Sequence, residues 1–307
     1  MNIGTGSMRL LTGLGIFASL IAASPARAQD GLRQRVDTTM ALEEGGTLTV
    51  NIYSGRVNVT GARGSSVRIR GTADRDDISI RARTNSVRIS MEHGGTRSGA
   101  DLDITVPIGT RVVLEGFAAP FSVTGVRGEA NIQTLSGSIV VKDAEGKVSL
   151  ESVSGDIEAD GIRGDVRAES VNGTVSVRNV EGDIAAESVS GRITIAGASS
   201  SRVRAETVGG SLTYDGTIEP SGTYSFTTHS GSLTLAVPSN AGASVSLETF
   251  NGVVESDFPV TLESGANRRA GESQFEFKIG DGRSRIVLET FNGNIKIQRG
   301  SSRANRE

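Results

Sequence analysis

Seven glutamates recur at one place in the repeat that fills most of this chain: Glu115, Glu151, Glu169, Glu187, Glu206, Glu248 and Glu289. Each lies four residues before a glycine, or before Ala119 in the case of Glu115. Gln133 and Thr227 interrupt the series. The next position carries a hydroxyl at Thr134, Ser152, Ser170, Ser188, Thr207, Thr228, Thr249 and Thr290. Carboxylates and hydroxyls are hard oxygen ligands, so such columns could hold a cation or contact a glycan. Stacked like charges destabilise a sheet. The competing interpretation is a solvated edge whose repulsion is relieved by neighbours such as Arg167 and Arg204. The sequence favours that edge, because the Gly-Gly-x-Gly-x-Asp pattern of calcium-binding nonapeptides is missing. No catalytic residue, metal or cofactor is expected.

Other chemistry-bearing residues have weaker claims. His229 falls in an apolar column where other repeats carry Val, Leu or Phe, and reads as a core or partly exposed histidine. The other histidine, His93, is far away in sequence, so metal or Ser-His-Asp chemistry lacks partners. Arg163-Gly164-Asp165 matches a cell-attachment tripeptide. The repeat itself demands Gly164, and Asp156 and Asp183 also follow their glycines, so the match is taken as coincidence. Paired glycines such as Gly209-Gly210 open no helix, which excludes a phosphate loop.

These residues are carried by a repeat. Gly128, Gly137, Gly146, Gly155, Gly164, Gly173, Gly182 and Gly191 are spaced nine residues apart, each opening a unit Gly-x-φ-x-φ-x-x-φ-x with φ apolar. The first φ column runs from Ala130 and Ile139 to Ile193, the second from Ile132 and Val141 to Ile195, the third from Leu135 and Ala144 to Ala198; all 24 positions are apolar. A fixed period of this kind marks a repeat architecture. Two apolar residues separated by one share a face of a strand. The third lies beyond a bend, which a glycine at φ > 0 tolerates. Each unit is therefore predicted to be one short strand and one corner, with all three φ positions inward. Alternate glycines follow Ser136, Ser154, Asn172 and Ser190, or Arg127, Glu145, Arg163 and Glu181, so the true repeat is 18 residues. The predicted fold is all-β: a single-domain β-solenoid (β-helix) of about 18–21-residue, two-strand coils. The pattern does not determine handedness, a right-handed coil being favoured. One coil cannot bury enough surface to stand alone, so the stack must be unbroken.

Composition agrees. The chain has 307 residues, 40 of them glycine, no cysteine and no tryptophan, with aromatics at 4%. A narrow interior suits Val, Ile, Leu and Ala. A net charge of −3 points to neither nucleic acid nor an anionic membrane.

Along the chain, residues 1–28 have the form of a secretory signal peptide: Arg9, an apolar stretch from Leu10 to Ala23, and Ala26-Arg27-Ala28 as cleavage site. Cleavage after Ala28 implies an exported protein, periplasmic, secreted or at the cell surface. Residues 29–45 read as a polar leader and 46–298 as the solenoid. Within it, irregular coils are expected over 46–105, regular coils over 106–256, a hairpin or extra coil over 257–282, and a closing coil over 283–298. The closing coil repeats the Leu-Glu-Thr-Phe-Asn-Gly of residues 247–252, and 299–307 form a charged tail.

The runs Val153-Ser154-Gly155-Asp156-Ile157, Val171-Asn172-Gly173-Thr174-Val175 and Val189-Ser190-Gly191-Arg192-Ile193 resemble a bacterial putative-adhesin family, a domain-of-unknown-function family of β-solenoids. Val237-Pro238 and Phe291-Asn292-Gly293-Asn294-Ile295 are similar to it as well, and the resemblance spans roughly residues 45–298. It implies an exported, envelope-associated protein and no catalytic residues. The leading functional expectation is a non-enzymatic envelope solenoid that presents a repetitive surface to an envelope protein or glycan. The alternatives are a polysaccharide lyase or hydrolase on a β-helix, and a scaffold assembling end to end through unpaired terminal strands.

Overall fold

The computed structural model describes residues 33–74, 78–91, 99–259 and 273–300, all within one compact unit. The signal-peptide stretch, His93, residues 260–272 of the expected hairpin or extra coil and nearly all of the tail lie outside the described residues. Every regular element described is a strand, and the chain is a β-solenoid. No helix among the described residues is long and apolar enough to cross a membrane.

Successive units alternate between two faces. On face one, Arg111–Ala118, Ala130–Thr134, Val148–Ser152, Val166–Ser170, Ile184–Ser188, Arg202–Thr207 and Thr223–Ser230 stack as parallel neighbours. On face two, Phe121–Thr124, Ile139–Lys142, Ile157–Arg163, Val175–Glu181, Ile193–Ala198, Leu212–Gly216 and Leu233–Val237 do the same. The register places Val148 beside Val166 and Glu151 beside Glu169, so one repeat position becomes one column. The first two φ columns are buried throughout.

The third φ column departs from the expectation. Ala144, Ile162, Val180 and Ala198 are buried, whereas Leu135, Val153, Val171 and Val189 are exposed. Strand parity explains the split. On face one, alternation continues unbroken, so Val148, Leu150 and Ser152 point inward and Val153 points out. On face two, Gly125, Asp143, Gly161, Asn179 and Gly197 all adopt left-handed φ between 50° and 70°. That one residue shifts the alternation by a step, and Ile162 returns to the interior. Gly, Asn and Asp are the residues that tolerate this conformation.

The corner glycines also differ from the simple expectation of positive φ. Gly146, Gly164 and Gly182 do have it. Gly155, Gly173 and Gly191 are needed for close approach instead: a Cβ at Gly173 would lie 2.0 Å from the carbonyl oxygen of Gly155.

Both ends of the stack are built out of sequence order. Ser284–Asn292 inserts between Thr223–Ser230 and Ala243–Asn251, and Ser273–Ile279 runs antiparallel along the outer edge of Ala243–Asn251. The segment expected to close the stack is therefore an inner coil. Its hexapeptide is identical to residues 247–252 and meets the same register requirements, so sequence similarity could not rank the two positions. At the other end, Thr47–Ala62 lies inside Ser86–Met91 on face one and inside Gly99–Pro107 on face two. The antiparallel strands Ile78–Arg83, Ser66–Asp74 and Arg33–Ala41 lie beyond these two. Arg33–Ala41 is thus a strand where a polar leader was expected. Its polar residues suit an outer strand, with Asp37 facing Arg68 at 3.7 Å.

The longer coils after Gly191 have a wider interior, filled by the buried rings of Tyr214, Tyr224 and Phe226. Burial pushes both phenols' pKa values up. Tyr214 donates to the Thr217 carbonyl and Tyr224 to the Ser200 carbonyl, each at 2.7 Å.

Candidate functional site

Face one ends in a groove that runs along the solenoid axis. Its first wall is the carboxylate column. In stack order this runs Glu115, Gln133, Glu151, Glu169, Glu187, Glu206, Thr227, Glu289, Glu248, each beside the next. The insertion of Ser284–Asn292 is what brings Glu289 between Thr227 and Glu248. All seven predicted glutamates therefore lie on one line, half-buried or exposed.

The hydroxyl column forms the floor. The Ser170 hydroxyl donates to the Gly155 carbonyl at 3.2 Å and accepts from the Gly173 N–H at 2.9 Å. Ser152, Thr207, Thr228 and Thr290 donate in the same way to Gly137, Gly191, Gly210 and Gly231. These hydroxyls are buried and committed to holding one coil on the next. Their role is structural, which takes them out of the ligand set that the cation or glycan alternative drew on.

The second wall was not anticipated. It is the exposed half of the third φ column: Leu135, Val153, Val171 and Val189, extended by Val208, His229, Phe291 and Phe250. His229 stacks on Phe291 with ring centroids 5.0 Å apart, and Phe291 on Phe250 at 4.9 Å. His229 is thus an exposed member of the apolar wall rather than a core residue. The signal for this wall was available as parity, since Val153 lies an odd number of residues from Leu150.

The groove spans nine rungs, from the rung of Glu115 to that of Glu248 and Phe250, with a volume of about 1120 Å³. At the usual strand spacing that is about 38 Å of length. Its electrostatics are unbalanced. Arg167 pairs with Glu169 and reaches Glu187 at 4.0 Å, and Arg204 meets Glu206 at 2.6 Å. No ion pair among the described residues reaches Glu151, Glu248 or Glu289. The opposite corner is different. There Arg127, Glu145, Arg163 and Glu181 alternate in sign, with contacts of 3.3, 3.5 and 3.7 Å. Arg163 is therefore engaged in this ladder. Gly164 is held by close packing, and the Asp165 carboxylate accepts from the Asp183 N–H at 3.1 Å. Each residue of the cell-attachment tripeptide has a structural role. Among the described residues, no three His, Asp or Glu side chains converge as a metal-binding group.

A 32–298 match to the sequence profile of the Toastrack DUF4097 family covers most of the chain, and the chain belongs to that family. Three solved structures are similar to it. A putative adhesin from Bacteroides fragilis is 13% identical, covering 86% of this chain and 97% of its own, with a TM-score of 0.41. A putative lipid binding protein from Parabacteroides distasonis is 11% identical, covering 86% and 96%, with a TM-score of 0.42. A putative cell adhesion protein from Clostridium sporogenes is 11% identical, covering 87% and 100%, with a TM-score of 0.28. No curated protein matches significantly.

Proposed function

We propose that this chain is an exported, non-enzymatic, adhesin-like module of the cell envelope, and that the face-one groove is its contact surface. The observation that carries this is the pairing of two columns, one of seven glutamates interrupted by Gln133 and Thr227 and one of exposed, mostly apolar side chains, along a groove of about 1120 Å³. The other corner shows how the same coils neutralise a charge ladder, by alternating Arg and Glu. The groove lacks that arrangement, and it leaves apolar side chains in solvent beside the charge. Contiguous exposed apolar surface marks contact with a partner. A binding role also fits the repetition. Acid–base catalysis needs two groups in different environments, whereas here each rung offers nearly the same pair. Export rests on the form of residues 1–28.

The test expresses the full 307-residue chain, as wild type and with Leu135, Val153, Val171 and Val189 all changed to Ser. The wild type is expected in the exported fraction, bound to cell-envelope material, and the variant is expected to be exported and folded but unbound. Changing outward residues of face two, such as Glu158→Gln with Thr194→Ser, should leave binding intact. Unchanged binding by the rim variant would overturn the assignment of the groove.

A further inference from the structure

We infer that the groove accepts a basic amphipathic helix from a partner polypeptide, with its apolar stripe on the Leu135–Phe250 wall and its Lys or Arg side chains on the glutamate wall. This rests on the groove being the contact surface.

Several occupants are excluded by chemistry in the groove itself. An added β-strand needs free backbone N–H and C=O groups. Here those groups are spent between rungs: Val171 N–H donates to the Ser152 carbonyl at 3.1 Å, and Val189 N–H to the Ser170 carbonyl at 3.2 Å. The floor hydroxyls are likewise committed to glycine carbonyls. The occupant must satisfy its own backbone, which a helix does. A glycan would stack its sugar faces on aromatic rings. Both faces of Phe291 are already covered, by His229 and Phe250, so the ladder offers edges to the groove. An anionic membrane surface would meet the glutamate wall with like charge, and so would a second copy docked face to face. A helix with an apolar stripe flanked by cations complements both walls at once. The nine rungs, about 38 Å, match a helix of about 25 residues at 1.5 Å rise each.

The experiment titrates the full mature protein with a synthetic amphipathic Leu/Lys helix, labelled for fluorescence anisotropy. A Leu/Glu peptide of the same pattern, a scrambled Leu/Lys peptide and an anionic vesicle serve as comparison probes. The Leu/Lys helix is expected to bind and to weaken as salt rises. Changing Glu151, Glu169 and Glu187 together to Gln should weaken it about tenfold and flatten the salt dependence. Changing Val153, Val171 and Val189 to Ser should weaken it with the salt dependence kept. Melting curves check that both variants are folded, and both sets of side chains are partly solvent-exposed. Equal binding of the scrambled or Leu/Glu peptide, tighter binding of the vesicle, or indifference to both variants would overturn the inference. If envelope binding is lost in the rim variant while the Leu/Lys helix does not bind, the groove assignment stands and the helical ligand falls. If envelope binding ignores the rim, both fall.

Discussion

The two corners of each coil are written with the same nine-residue template and do opposite things. At the corner beginning with Arg163, Glu181 or their equivalents, the third apolar residue is buried and the outer charges alternate in sign. At the corner beginning with Ser154, Asn172 or Ser190, the third apolar residue is exposed beside the glutamate column, in which Glu169, Glu187 and Glu206 meet an arginine and Glu151, Glu248 and Glu289 do not within the described residues. The difference is one left-handed residue. Where Gly161 or Asn179 shifts the strand by a step, the apolar side chain goes in. Where no such residue occurs, a serine or threonine takes the inner place and the apolar side chain goes out. One corner is thereby closed and neutral. The other remains open, with an apolar rim and an acidic wall.

The sharpest way to break this comparison is to place the same charge at both corners. Val180 is 0% exposed and Val171 is 38% exposed, though both occupy the third φ position. Val180→Asp should cost more than about 4 kcal/mol or prevent folding, because an unpaired charge is buried. Val171→Asp should stay within about 0.5 kcal/mol. Comparable melting temperatures for the two variants would show that the inside–outside assignment is wrong.

A second test concerns close approach at the open corner. Gly210 and Gly209 are neighbours in sequence. A Cβ at Gly210 would meet the Gly191 carbonyl oxygen at 1.9 Å, whereas at Gly209 nothing is nearer than 3.6 Å. Gly210→Ala should therefore destabilise by about 1–3 kcal/mol, as overpacking does. Gly209→Ala should stabilise by about 0.4–1 kcal/mol, since it restricts the unfolded chain. Denaturant midpoints that move in the same direction would contradict this division.

The smallest expected effect compares the two charge ladders. Changing Glu151, Glu169 and Glu187 to Gln removes like-charge repulsion. It should raise the melting temperature slightly at low salt and less at high salt. Glu145→Gln leaves Arg127 and Arg163 without their shared partner and should lower it slightly, again with salt screening. A calcium-dependent rise in melting temperature that vanishes in the triple variant would instead make the acidic wall a cation site.

Much of this was legible in the chain. The glycine period, the first two apolar columns and the line of seven glutamates follow from local spacing, because parallel in-register stacking turns a repeat position into a column. The left-handed column was legible in principle, since Asp143, Gly161, Asn179 and Gly197 are residue types that accept positive φ. It was obscured because two of the four are not glycine, and the apolar template looked complete without it.

What sequence alone determined, then, is the architecture: inward side chains repeat because each coil must bury the same two columns, and that requirement is local. Tertiary structure decided the order of coils at both ends, since identical hexapeptides at 247–252 and 288–293 fit either neighbouring place and only the return of Ser273–Ile279 along the outer edge separates them. It also decided the groove. Whether Val171 lies in or out depends on strand parity set several residues earlier, and whether all seven glutamates lie on one line depends on Glu289 inserting beside Glu248, 41 residues back in the chain but one rung away in space.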